Sequence, residues 1–189
     1  MDTAQNSPLW NSLEIVKLLF GLVTPLVVAI GGYYITKSMH KLEARSLVNQ
    51  KIVEKRLTLF DSMAPLFNDL YCYFMRVGRW KELTPPDLIE KKRTLDTLFY
   101  INKPLFSAEF ESNYFTFILS DCFRAFSGHA KNARLRTRYL QYSNLNNWNP
   151  KWKDCFVEEE SDICPLERLA EDYDALMNQF ATELGIEWS

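Results

Sequence analysis

The chain has 189 residues, 47% hydrophobic and 14% aromatic, which suffices for a core of domain size and excludes wholesale disorder. A net charge of -2 excludes a global field that recruits nucleic acid. Two histidines, and four cysteines (Cys72, Cys122, Cys155, Cys164) without a C-x-x-C pair, exclude a zinc site of the usual spacing.

Residues 1–11 form a short tail without Lys or Arg. Residues 12–36 read as a transmembrane helix. Its centre, "LLFGLVTPLVVAIGGYYI" from Leu18 to Ile35, carries no charge, and eighteen helical residues rise roughly 27 Å against about 30 Å of hydrocarbon. Trp10 before the run and Tyr33 and Tyr34 at its end suit the headgroup belts. A cleaved signal peptide fits poorly, because no basic n-region or small-residue cleavage site is present. Between Lys37 and Arg56 stand six Lys or Arg and two Glu. The positive-inside rule then places the C-terminal part in the cytoplasm and the chain in the bacterial inner membrane. Reduced thiols are expected there, in preference to a Cys155–Cys164 bridge. Pro25 predicts a kink or local loosening in the span. Gly21, Pro25, Ala29 and Gly32 recur at helical spacing as a smooth stripe, a candidate face for homo-oligomerisation.

Residues 37–64 read as a juxtamembrane helix. Lys37, Lys41 and Arg45 share a face, where anionic lipid headgroups would relieve their mutual repulsion. Ser46 and Asn49 interrupt an a/d register, so packing on the domain is expected in place of a long coiled coil. Pro65 offers a break before a cytosolic helical domain, residues 65–189. In it, Thr84, Pro85 and Asp87 predict a helix start as cap, first residue and N3 acid, with Lys103-Pro104 as the stop. Ser107, Glu109 and Glu111 predict a second start, for an apolar central helix running to Gly128, with a buried strand over Tyr114–Leu119 as the competing expectation. Residues 164–185 predict a closing amphipathic helix stopped by Gly185.

Phosphate-binding glycine loops, the G-x-S-x-G elbow and H-E-x-x-H are absent, and the carboxylate pairs sit at helix starts or on a solvated face. An enzyme, a cofactor and a metal are therefore not expected. The soluble feature with most chemistry is a basic segment: Lys131, Arg134, Arg136 and Arg138, with Tyr139 and Tyr142. Arginine forks beside aromatic faces suit a nucleotide or nucleic-acid ligand. The competing expectations are internal pairing with the acidic stretch Glu158–Asp162 or with Glu171, Asp172 and Asp174, and contact with lipid headgroups.

The anchor, then "VNQKIVEKRLTLFDSMAPLFNDLYCYF" and "KELTPPDLIEKKRTLDTLFYINKPLFS", resembles a group of largely uncharacterised bacterial single-pass membrane-anchored proteins with a cytosolic helical domain. The resemblance runs from the anchor to about Ser127 and carries no catalytic residue. The layout is also similar to membrane effectors of phage-defence systems, in which a cytosolic domain senses a signal and the span perturbs the cell's own membrane. The expectation is an all-α fold, a transmembrane helix continuing into a cytosolic bundle. The expected function is a non-enzymatic, self-associating membrane effector in antiviral defence, engaging lipid and a protein partner from the same operon. The alternatives are a passive anchor or scaffold for a cytosolic enzyme, and a tethered sensor of a nucleotide or cyclic oligonucleotide.

Overall fold

The computed structural model describes residues 12–125, 133–145 and 148–186. On the first helix, the side chains of 12–16, 18–20, 22, 24, 41 and 44 lie outside that description. Among the described residues four α-helices carry the fold: α1 Ser12–Met75, α2 Pro85–Asn102, α3 Ala108–Phe115 and α4 Leu166–Glu183. A π-helical segment, Thr116–Cys122, extends α3. It leads into a two-stranded antiparallel ribbon, β1 Phe123–Arg124 with β2 Arg134–Leu135, in which Phe123 faces Leu135. The chain divides into two compact units, residues 1–50 and 51–189.

In the first unit the backbone is helical from Ser12, and Pro25 does not interrupt it. The residues from Val23 to Ile35 whose side chains are described include eight large hydrophobics between 49% and 68% exposed. Among the described residues, no helix is long and apolar enough to cross a membrane. Leu18, Leu19, Phe20, Leu22 and Thr24, which belong to the expected span, have side chains outside the described set.

The second unit is a helical bundle around an aromatic core. The rest of α1 gives it Leu59, Met63, Phe67, Leu70 and Phe74, all buried at three- and four-residue spacing. The expected break at Pro65 does not occur. Pro65 is exposed while Met63 and Phe67 on either side are buried, so the backbone group left unpaired by the proline faces water, and burial holds the helix. Helix α2 starts as its sequence predicts. The Thr84 hydroxyl accepts from the Asp87 N–H, and the Thr84 N–H donates to Asp87 Oδ2 at 2.9 Å, a complete capping box. The Ser107 hydroxyl caps α3 by accepting from the Phe110 N–H at 3.1 Å. Gly185, at φ 77°, follows α4 in the left-handed region that glycine adopts without strain.

The central helix departs from expectation. It does not run to Gly128, and Tyr114–Leu119 is not a strand. α3 loosens into seven π-helical residues, and the chain turns extended at Phe123. The π-helical turn places Phe117, Ile118, Asp121 and Cys122 inside together. Around them Phe99 stacks on Tyr114 at 4.2 Å between ring centres, and Phe106 on Phe110 at 4.3 Å. All four cysteines are free thiols.

Candidate functional site

The basic segment and the acidic stretch meet across a cleft of about 500 Å³ in the second unit. One wall is Arg138–Leu140. The other runs through Lys153, Asp154 and the segment from Phe156 to Ile163. The ribbon fixes both walls: the Val157 N–H donates to the Leu135 carbonyl and the Cys164 N–H to the Arg136 carbonyl, each at 3.0 Å. Phe156 is a buried floor, while Leu140 is 62% exposed at the rim.

The arginines are engaged inside the chain. Arg134 Nη1 lies 2.8 Å from Glu158 Oε1, Arg138 Nη2 lies 2.5 Å from Glu160 Oε2, and Arg124 pairs with Asp162. The pairing with Glu158–Asp162 expected from the sequence is therefore present. Exposed pairs of this kind contribute roughly 0–1 kcal/mol each, so a ligand displaces them at small cost. Tyr139 lies in the cleft with Lys153 Nζ 5.1 Å from its ring centre, a cation–π contact. Tyr142 does not line a ligand surface. It is 1% exposed, stacks on Tyr73 at 4.4 Å and donates its hydroxyl to the Tyr73 carbonyl. Its aromatic area was needed by the core, a demand that local sequence does not display. Lys131 lies outside the described residues. Lys153 was hidden in an Asn-rich loop, and only the folded chain brings it to Tyr139.

Behind the cleft lies a polar cluster without a sequence signature. Asp121, on the π-helical segment, is fully buried. Its Oδ1 lies 3.1 Å from Arg168 Nε in an ion pair and accepts from the Cys164 thiol at 3.4 Å. The same Arg168 Nε is 3.4 Å from Asp172 Oδ2, one turn along α4. Asp121 Oδ2 has no hydrogen-bond partner, and neither does the buried Nε of Arg136. Burial, then the neighbouring Asp172 carboxyl, push the Asp121 carboxyl up to about 6, against the pull of Cys164 and Arg168. Burial and the Asp121 charge push the Cys164 thiol up to about 12, and burial raises Cys122 well above its usual value. Both thiols stay protonated and are poor nucleophiles.

The candidate membrane residues lie in the first unit. Gly21, Pro25, Ala29 and Gly32 are exposed, and a Cβ built at Gly21 or Gly32 meets nothing within 4 Å. Lys37 and Arg45 are exposed, with Lys37 Nζ 5.7 Å from the Tyr33 ring centre. The Lys41 side chain lies outside the described set. Among the described residues no group of His, Cys, Asp and Glu is placed to hold a metal ion. Comparison with protein-family models, with curated proteins and with solved structures finds no match to this chain.

Proposed function

We propose that the chain is a non-enzymatic interaction protein anchored in the bacterial inner membrane by the apolar run of α1, with the helical bundle on the cytoplasmic side. One observation carries this reading: the eight large hydrophobics from Val23 to Ile35 stand about half exposed or more among the described residues. Burying each one gains roughly 1.5–3 kcal/mol, and contiguous exposed patches of this kind mark an interaction or membrane surface. The described residues alone fall short of a span, and the sequence completes it with the uncharged run back to Leu18. The flanking Lys37 and Arg45 support the orientation.

The anchor is tested by washing membranes at alkaline pH after expressing the full chain and its Leu26→Lys/Ile30→Lys variant. The natural chain stays in the pellet and the variant is released. Release of both, or retention of both, contradicts the anchor. Self-association through Gly21 and Gly32 makes the chain an effector that perturbs the membrane. Overexpression then slows growth, and Gly21→Leu or Gly32→Leu restores it; equal toxicity of these variants contradicts the effector step.

The cleft favours a second reading, a membrane-tethered sensor. Arg138 and Lys153 flank Tyr139, an arrangement suited to phosphate oxygens beside an aromatic face, as in a nucleotide. A thermal shift of the full chain with a cyclic dinucleotide, lost in Arg138→Ala/Lys153→Ala, supports the sensor. A shift that survives the double substitution contradicts it.

A further inference from the structure

Arg124 and Arg134 stand directly opposite each other on the two-stranded ribbon. Like charges so placed repel unless an anion lies beside them. Asp162 pairs with Arg124, Glu158 with Arg134 and Glu160 with Arg138. Alternate residues of one short segment thus give a carboxylate to each of three arginines. The segment is a strap tied at both ends. At one end the Val157 N–H donates to the Leu135 carbonyl, and at the other the Cys164 N–H donates to the Arg136 carbonyl. Between the ties, the Asp162 and Ile163 N–H groups donate within the strap, to the Glu159 and Glu160 carbonyls at 3.1 Å. Ion pairs join its middle to the arginines, and the Glu158 and Glu160 side chains are 78% and 74% exposed, so water and salt screen both pairs.

The strap also intrudes on the cleft. Glu158 and Glu160 line it together with Arg138, Tyr139 and Lys153, the groups suited to a phosphate beside an aromatic face. A carboxylate and a phosphate oxygen compete for the same guanidinium donors. We propose that the strap is an internal stand-in for bound phosphates: it engages Arg134 and Arg138, and swings away when the phosphates of a ligand take them. The proposal rests on the sensor reading of the cleft and adds to it a gate that lowers affinity and moves on binding. Because Val157 and Cys164 stay tied, the motion is confined to residues 158–163.

The test uses the full chain in a mild detergent and two probes, tripolyphosphate and cyclic di-GMP, with Kd read by isothermal titration. Glu158→Gln/Glu160→Gln binds about 5- to 30-fold more tightly than the natural chain, the range that two exposed pairs allow. Adding Arg134→Gln/Arg138→Gln removes the gain. Asp154→Asn takes one carboxylate from the same cleft outside the paired row and shifts affinity by about twofold at most. Hydrogen exchange in 158–163 of the natural chain quickens when salt rises from about 0.05 to about 0.5 M, and is already fast in Glu158→Gln/Glu160→Gln. An unchanged or weaker Kd in that double variant overturns the proposal, and so does failure of every form to bind either probe. A gain matched by Asp154→Asn, or exchange unmoved by salt, also overturns it. The gate and the sensor fail separately. A natural chain that binds cyclic di-GMP as tightly as the double variant keeps the sensor and overturns the gate. A gain for tripolyphosphate alone supports the gate and contradicts the nucleotide.

Discussion

Arg56 makes three contacts to two residues, Leu105 and Glu183, that lie far from it and from each other in sequence. Its Nε donates to the Leu105 carbonyl at 2.7 Å, its Nη1 to the Glu183 carbonyl at 2.8 Å, and its Nη2 lies 2.8 Å from Glu183 Oε2. Glu183 is 6% exposed, and its other oxygen accepts the Ser107 N–H at 2.8 Å. One guanidinium thus joins α1, the start of α3 and the end of α4 within the bundle, using the fork geometry that lysine lacks. Arg56→Ala leaves a buried carboxylate uncompensated and lowers stability by about 3–5 kcal/mol. Arg56→Lys recovers only part of it. Chemical denaturation of the full chain in detergent measures both, and a loss under about 1 kcal/mol for the alanine variant contradicts the clamp. In the sequence Arg56 counts as one more cation beside a membrane. Its role emerges only when Glu183 is delivered by the closing helix.

Helix starts were legible because their chemistry is local. Thr84, Pro85 and Asp87 satisfy the free N–H groups of α2 with atoms three residues away, so the prediction needed no knowledge of the fold. Thr84→Ala removes the cap and costs about 1 kcal/mol, and Thr84→Ser restores most of it; equal stability of the two variants in denaturant contradicts the role of the box. The end of α3 was illegible for the opposite reason. Asp121 interrupts an apolar run and reads as a solvent-facing residue, yet Arg168 and Cys164 hold it inside. The π-helical widening and the turn to strand at Phe123 accompany that buried contact. Pro65 teaches the same point: a local breaker lost to burial of its neighbours. At the candidate site the pairing of arginines with the acidic stretch was readable from charge. The withdrawal of Tyr142 into the core and the arrival of Lys153 at Tyr139 were not.

At the scale of the molecule, the two units differ in what they leave uncovered. In the unit of residues 51–189, α1, α2, α3 and α4 enclose large side chains such as Phe67, Phe99, Phe117 and Phe180 with no residual exposure. In the unit of residues 1–50, the described hydrophobics from Val23 onward face outward. An exposed apolar surface of this extent suits the proposed cover by lipid or another helix. The proposed interaction role and self-association face rest on that contrast, and the proposed orientation rests on the flanking Lys37 and Arg45.

The most direct measurement is protease shaving of the natural chain reconstituted in lipid vesicles, with mass spectrometry of what survives. Proposed insertion predicts a protected fragment containing residues 18–35 that disappears when detergent opens the vesicles. Complete digestion of those residues in intact vesicles would contradict it.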